Sequence, residues 1–198
     1  MPIRSRATLL SAMTLAGAVA IGAAGEARAD GMFAQLDVAP GDVTAVLSAQ
    51  RGRLSYGTVY SDYGNGADLN FQLSYAFALG DPNAPVTLRV GPAVQYEGLT
   101  TWKAGARIVA DHYRPTGFGN IFLLGEYSTI DNGYFALASV GLRDAGLAVE
   151  LTHQGDDDGF RETALALSVP LEGTDVALRA GYKFRAKEVF VGVSWNTF

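Results

Sequence analysis

The sequence predicts an all-β chain: a closed, antiparallel, up-and-down transmembrane β-barrel of 12 strands with short loops. Three observations carry this. Apolar residues recur at every second position in segments of about ten residues, the period of a strand with one face in each environment. Gly, Asn, Asp and Pro cut these segments at short, regular intervals. No segment after the N-terminus is long and apolar enough for a spanning helix, and only a closed barrel otherwise satisfies the backbone in lipid.

Residues 1–29 stand apart as a cleaved secretory signal. Arg4 and Arg6 make a positive start, Ala7 to Gly25 is apolar and uncharged, and Ala27-Arg28-Ala29 fits the small-x-small cleavage rule. Three of the 15 basic residues (Arg4, Arg6, Arg28) and one of the 20 acids (Glu26) would leave with it. The remaining residues, 30–198, then carry 12 basic against 19 acidic groups, a net charge of −7. That argues against nucleic acid as a partner. The chain has no cysteine, which excludes a lipoprotein anchor, a thiol nucleophile and a Cys-type zinc site.

Eleven turn signals separate twelve strands. The first three, 31–38, 43–51 and 54–63, alternate less regularly; fusing or dropping two of them would give ten strands. Strand 67–79 follows, with Leu69, Phe71, Leu73, Tyr75, Phe77 and Leu79 in one row. Strand 84–97 sets Val86, Leu88, Val90, Val94 and Tyr96 against Arg89, Gly91, Ala93, Gln95 and Glu97. Strand 101–113 sets Trp102, Ala104, Ala106 and Ile108 against Lys103, Gly105, Arg107 and Asp111. Strands 117–129 and 133–143 flank Asp131-Asn132-Gly133, the strongest hairpin signal in the chain. Strands 145–154, 160–169, 174–185 and 187–197 complete the set.

Two barrels produce such rows. A soluble periplasmic ligand-binding barrel keeps them inside; an outer-membrane barrel turns them to lipid. The residues between the rows favour lipid. They alternate Gly, Ala and Ser with single long polar side chains, which suits a narrow lumen rather than a solvated outer face. The expected lumen-lining residues are Arg89, Gln95, Glu97, Lys103, Arg107, Asp111, Glu126, Arg143, Glu150, Arg179 and Lys183. The basic members are expected to pair with Glu97, Glu126 and Glu150, or to line a pore preferring anions. Tyr75, Tyr96, Trp102, Tyr127, Tyr134, Tyr182, Trp195 and Phe198 are expected at the membrane interfaces.

The signal, the absence of Cys, the alternating strands and terminal Phe198 together resemble bacterial outer-membrane β-barrel proteins as a class. The resemblance covers residues 30–198 at the level of architecture. It implies the outer membrane of a Gram-negative cell, with lipids and lipopolysaccharide as surroundings. It also implies a terminal strand read by the barrel-assembly machinery. In that class alternate residues before the terminal Phe are usually apolar; here they are Asn196, Ser194, Gly192 and Phe190. Either a bulge near Asn196-Thr197 restores the phase, or Trp195 is the interface anchor. If both ends are periplasmic, the turns near Pro40, Asn65, Gly98, Asn132, Asp156–Asp158 and Lys187 are external. Those near Gly52, Pro82, Pro115, Asp144 and Glu172 are internal.

Motifs for chemistry are sparse. Outer-membrane acyl hydrolases and acyltransferases use a His with a Ser near the external rim, so His153 with Ser128 is the candidate pair, without the spacing of such an enzyme. His112 lies toward the internal end. Asp156, Asp157 and Asp158 are candidate Ca²⁺ ligands, weighed against a solvated acidic turn. No cofactor is expected. The leading expectation is a non-enzymatic, narrow passive channel for small polar or anionic solutes. The alternatives are a structural barrel with a closed, charge-paired interior, a rim enzyme acting on lipid acyl chains, and the soluble barrel.

Overall fold

The computed structural model describes residues 30–81 and 84–198; the expected signal segment lies outside the described residues. Twelve strands close on themselves: β1 (Gly31–Val38), β2 (Val43–Arg51), β3 (Leu54–Asp62), β4 (Ala67–Leu79), β5 (Val86–Glu97), β6 (Thr101–Thr116), β7 (Gly119–Ser128), β8 (Tyr134–Leu142), β9 (Leu147–Gly155), β10 (Arg161–Pro170), β11 (Val176–Lys183) and β12 (Glu188–Asn196). Every strand pairs antiparallel with its sequence neighbours. β1 pairs with β12 from Phe33–Asn196 to Val38–Val191, which seals the sheet. A closed sheet has no free edge, so every strand finds partners on both sides.

The strand number is twelve, not ten. The first three strands, faint in sequence, are full members of the wall. Val59 and Val46 point inward from β3 and β2 and are 0% and 2% exposed. Inward apolar residues broke the alternation there. β6 runs to Thr116, through the Pro115 expected to turn the chain, and pairs Thr116 with Gly119. The fixed φ of proline suits extended chain, and the turn moves to Gly117 and Phe118. The Asp131-Asn132 turn forms as its sequence requires. Both residues have positive φ (52° and 47°), and Gly133 N donates to Ile130 O at 3.1 Å. That is the twist a two-residue hairpin needs.

The apolar rows face outward. Leu47, Leu73, Leu151, Leu178, Val189, Val191 and Trp102 are between 47% and 62% exposed. Small residues let the wall close tightly in places. A Cβ at Gly91 would overlap the Leu73 carbonyl oxygen of the adjacent strand. The interior has apolar patches as well as charge. Val109, Phe122, Leu124, Phe135 and Leu137 pack together on β6, β7 and β8. Phe33, Val46 and Val59 pack with Phe198 near the end that carries Asp30 and Phe198.

Candidate functional site in the barrel lumen

Period two places the long polar side chains on the inner wall. Burial then forces them to pair, because an isolated ion in low dielectric costs several kcal/mol. Arg107 reaches Glu126 at 2.5 Å, and Arg89 pairs with Asp111. Arg179 bridges two strands, with Nε 3.2 Å from Asp37 and Nη1 2.8 Å from Glu150. Lys103 lies 2.8 Å from Glu97 and 2.7 Å from Asp131. Lys183 pairs with Asp42. Gln95, also inward, is 1% exposed.

Three of these partners, Asp37, Asp42 and Asp131, were absent from the expected set. Asp42 and Asp131 sit in turns, where an acid reads as a solvated turn former. Asp37 sits in β1, where alternation is weak. Only three-dimensional closure carries these residues to cations 28 to 142 positions away.

Two expectations fail. Arg143 does not line the lumen. β8 ends at Leu142, and Arg143 opens the exposed turn in which Gly146 N donates to its carbonyl at 3.1 Å. Phe198 is not an interface aromatic. It keeps the inward parity of Asn196, and its ring packs against Phe33, Val46 and Val59. Trp195, 37% exposed, is the outward residue of the terminal strand. The apparent phase error in the sequence is therefore real: the terminal ring belongs to the interior.

The other aromatics are outward. Tyr75 and Tyr127 are 41% and 42% exposed. Tyr96 stacks on Trp102 with ring centroids 4.4 Å apart, and Tyr182 meets Phe184 edge-on at 5.4 Å. Tyr134 lies beside His153, its hydroxyl 3.4 Å from Nε2.

The Ser128–His153 pair is not assembled. Ser128 shares the inward parity of Glu126, and its Oγ accepts from Ile130 N at 3.1 Å. His153 is exposed on the outer face, and its Nδ1 lies 2.9 Å from the Thr163 hydroxyl. The two stand on opposite sides of the wall, which rules out the hydroxyl-to-imidazole hydrogen bond that nucleophilic chemistry needs. The acidic run 156–158 also splits. Asp156 is 7% exposed and bonded to its own turn, with Phe160 N donating to Oδ1 at 2.9 Å. Burial raises its carboxyl above the usual range. Asp157 accepts from Asn132 Nδ2 at 2.7 Å. Asp158 approaches Glu97 and Asp131.

A cavity of about 660 Å³ occupies the lumen at the rim opposite Asp30 and Phe198. It runs from the turns at Asp42, Asp158 and Ala186 down to Asp37, Glu150 and Arg179. Six acids (Asp37, Asp42, Glu150, Asp158, Glu162 and Glu188) and four bases (Arg161, Arg179, Lys183 and Arg185) line it. Glu162 fastens the β11–β12 turn over it, accepting from the backbone N–H of Arg185 at 2.8 Å and of Ala186 at 2.9 Å. Beside the same rim, burial and then the neighbouring Asp68 carboxylate push the Tyr63 phenol up to about 12.

No family model matches the chain. No curated protein matches it in sequence. Solved structures do match in fold. A KdgM porin in complex with disordered oligogalacturonate is similar with a TM-score of 0.55 at 11% identity, covering 85% of this chain and 99% of that one. A second structure of KdgM porin gives 0.52 at 12% identity over 85% and 99% of the two chains. NanC porin gives 0.52 at 13% identity over 84% and 99%. The chain has the closed twelve-stranded architecture of these outer-membrane porins.

Proposed function

We propose that the protein is an outer-membrane barrel acting as a narrow passive channel for small polar solutes. The observation that carries this is the charge-lined vestibule of about 660 Å³, open at one rim of a barrel whose outer face is apolar. Contiguous apolar surface on this scale is rare in soluble monomers and is the normal outer face of a membrane barrel. In that setting the rim opposite Asp30 and Phe198 faces outward from the cell, and lipids and lipopolysaccharide surround the wall. The terminal strand, with Trp195 outward and Phe198 inward, is what the assembly machinery would meet. Passive transport needs no reacting group, which agrees with a Ser128 and His153 on opposite faces of the wall.

The finer reading concerns charge. The fold likeness to a porin crystallised with oligogalacturonate, a carboxylated saccharide, supports anionic solutes. The vestibule argues otherwise: six acids against four bases give it an acidic balance. Its deepest cation, Arg179, is already held by two carboxylates. We therefore assign weak cation preference to the pore. Planar-bilayer recordings of refolded protein test both levels. Discrete conductance steps with a reversal potential on the cation side are expected. An anion-side reversal overturns the charge assignment, and the absence of steps overturns the channel.

A closed, structural barrel is the second reading, favoured by one set of side chains. Val59 and Asp68 are 0% and Gln95 1% exposed although all face the lumen. The same recordings separate the two, because a closed barrel gives no steps.

A further inference from the structure

Arg89 is a buried cation that the vestibule does not use. It stands on β5 toward the end that carries Asp30 and Phe198, and it is 8% exposed. Its guanidinium is tied to two walls. Nη1 pairs with Asp111 on the neighbouring β6, and Nη2 donates to Gln50 Oε1 on β2 at 3.5 Å. β2 and β6 are four strands apart in a ring of twelve, so the two ties span a third of the circumference. Gln50 is itself anchored. Its Nε2 donates to the Gly52 carbonyl in the β2–β3 turn at 3.1 Å, and its Oε1 also accepts from Ser55 Oγ at 3.4 Å.

The two strands between β2 and β5 carry short inward residues at this level. Ser55 on β3 pairs in register with Ser74 on β4, and Ala76 on β4 pairs with Arg89 itself. They are 3%, 6% and 8% exposed. Short side chains facing an open, water-filled lumen would be wet. These are dry because the long Arg89 side chain runs across them from β5 to Gln50. On the β2 side the apolar surface of Phe33, Val46 and Val59 with Phe198 continues the closure, and an apolar constriction sheds water once it is narrow. The vestibule cavity ends at Asp37, Glu150 and Arg179; Arg89, Gln50 and Asp111 do not line it.

We propose that Arg89 is a latch: strung between Asp111 and Gln50, it shuts the lumen at the end that carries Asp30 and Phe198, and the pore opens when the Gln50 arm lets go. The latch rests on the channel reading and adds a gate to it. The two arms are unequal. Asp111 holds the guanidinium by a charge-assisted contact, the stronger kind. Gln50 is a neutral amide at the long limit of hydrogen bonding. Arg89 therefore swings back on Asp111 to the β5–β6 wall without its charge leaving its partner, which avoids the cost of an unpaired buried ion. Arg179 remains the cation of the vestibule, and Arg89 decides how much of the time the path beyond it is open.

Planar-bilayer recordings of the refolded wild type, Gln50→Ala, the double variant Arg89→Ser/Asp111→Asn and Arg143→Ser test this. The wild type should be shut for most of the recording, with brief openings. Gln50→Ala removes only the weak arm and leaves no buried charge unpaired, so it should fold and stay open several times longer per opening, at an unchanged reversal potential. The double variant removes the bar together with its counter-charge and should be open throughout. Arg143→Ser, in an exposed turn, should behave as the wild type. A wild type that is open throughout overturns the latch and leaves the channel standing. So do equal open times in the wild type and Gln50→Ala, even where the variant unfolds more easily, because Gln50 is then only a structural tie. Silence in all four proteins overturns the channel, and the latch with it.

Discussion

Arg107 on β6 and Glu126 on β7 meet at 2.5 Å on the inner wall, their side chains only 3% and 6% exposed. Neither could be left alone there. Glu126→Leu or Arg107→Met by itself should cost about 3–5 kcal/mol of unfolding free energy, because one buried charge stays uncompensated. The double variant Arg107→Met/Glu126→Leu should recover most of that loss. Denaturant unfolding of the four proteins as a double-mutant cycle measures it. Additive losses would show that the pair does not act as a unit.

The outer wall makes a second prediction, in which depth matters. Val191 lies near the middle of β12 and is 61% exposed; Trp102 lies close to the vestibule rim and is 62% exposed. For a barrel in lipid, Val191→Arg should cost about 2–4 kcal/mol and Trp102→Arg about 0–1 kcal/mol from charge placement. Reversible unfolding from lipid vesicles reads both. Equal, small costs would place the outer face in water.

The deepest vestibule cation should govern the pore. Arg179→Ser removes the bridge between Asp37 and Glu150 and leaves two carboxylates without their guanidinium partner. Conductance should rise and cation preference should strengthen, both read from single-channel recordings. The same substitution should lower stability, because the two acids then share a buried wall unpaired.

Tyr63 predicts a pH dependence at the rim. Burial first, and then the Asp68 carboxylate, pushes its phenol up to about 12. An unfolded tyrosine ionises at about 10. Between those values the unfolded chain has released this proton and the folded chain retains it, so stability falls as pH rises through the window. Below the unfolded value this stabilisation is fully present. Ultraviolet difference titration of native protein against Tyr63→Phe should isolate one late-ionising phenol. A Tyr63 that ionises with the exposed tyrosines would remove the buried contact with Asp68.

The legibility of this chain follows from the range of each interaction. Alternation is local, so the rows from Leu69 onward, the Asp131-Asn132 turn and the inward parity of Arg89, Arg107 and Arg179 could be read directly. β1 to β3 were faint because Phe33, Val46 and Val59 place apolar residues on the inner face too. Two periods of similar hydropathy then cancel. Arg143 was misplaced because parity says nothing about where a strand stops. Phe198 was misplaced because class habit was set against the parity of Asn196, and parity won.

The sequence by itself determined the strands, their faces and the sign of the chain's charge. These depend on neighbours one or two residues apart. Closure decided the rest: twelve strands rather than ten, and the partners of the inward charges. It gave Arg89 to Asp111, Arg179 to both Asp37 and Glu150, and Lys183 to Asp42. It also brought Asp131 and Asp158 to Glu97. A local pattern fixes which way a side chain points. Only the registers of twelve strands, summed around a ring, fix what it points at.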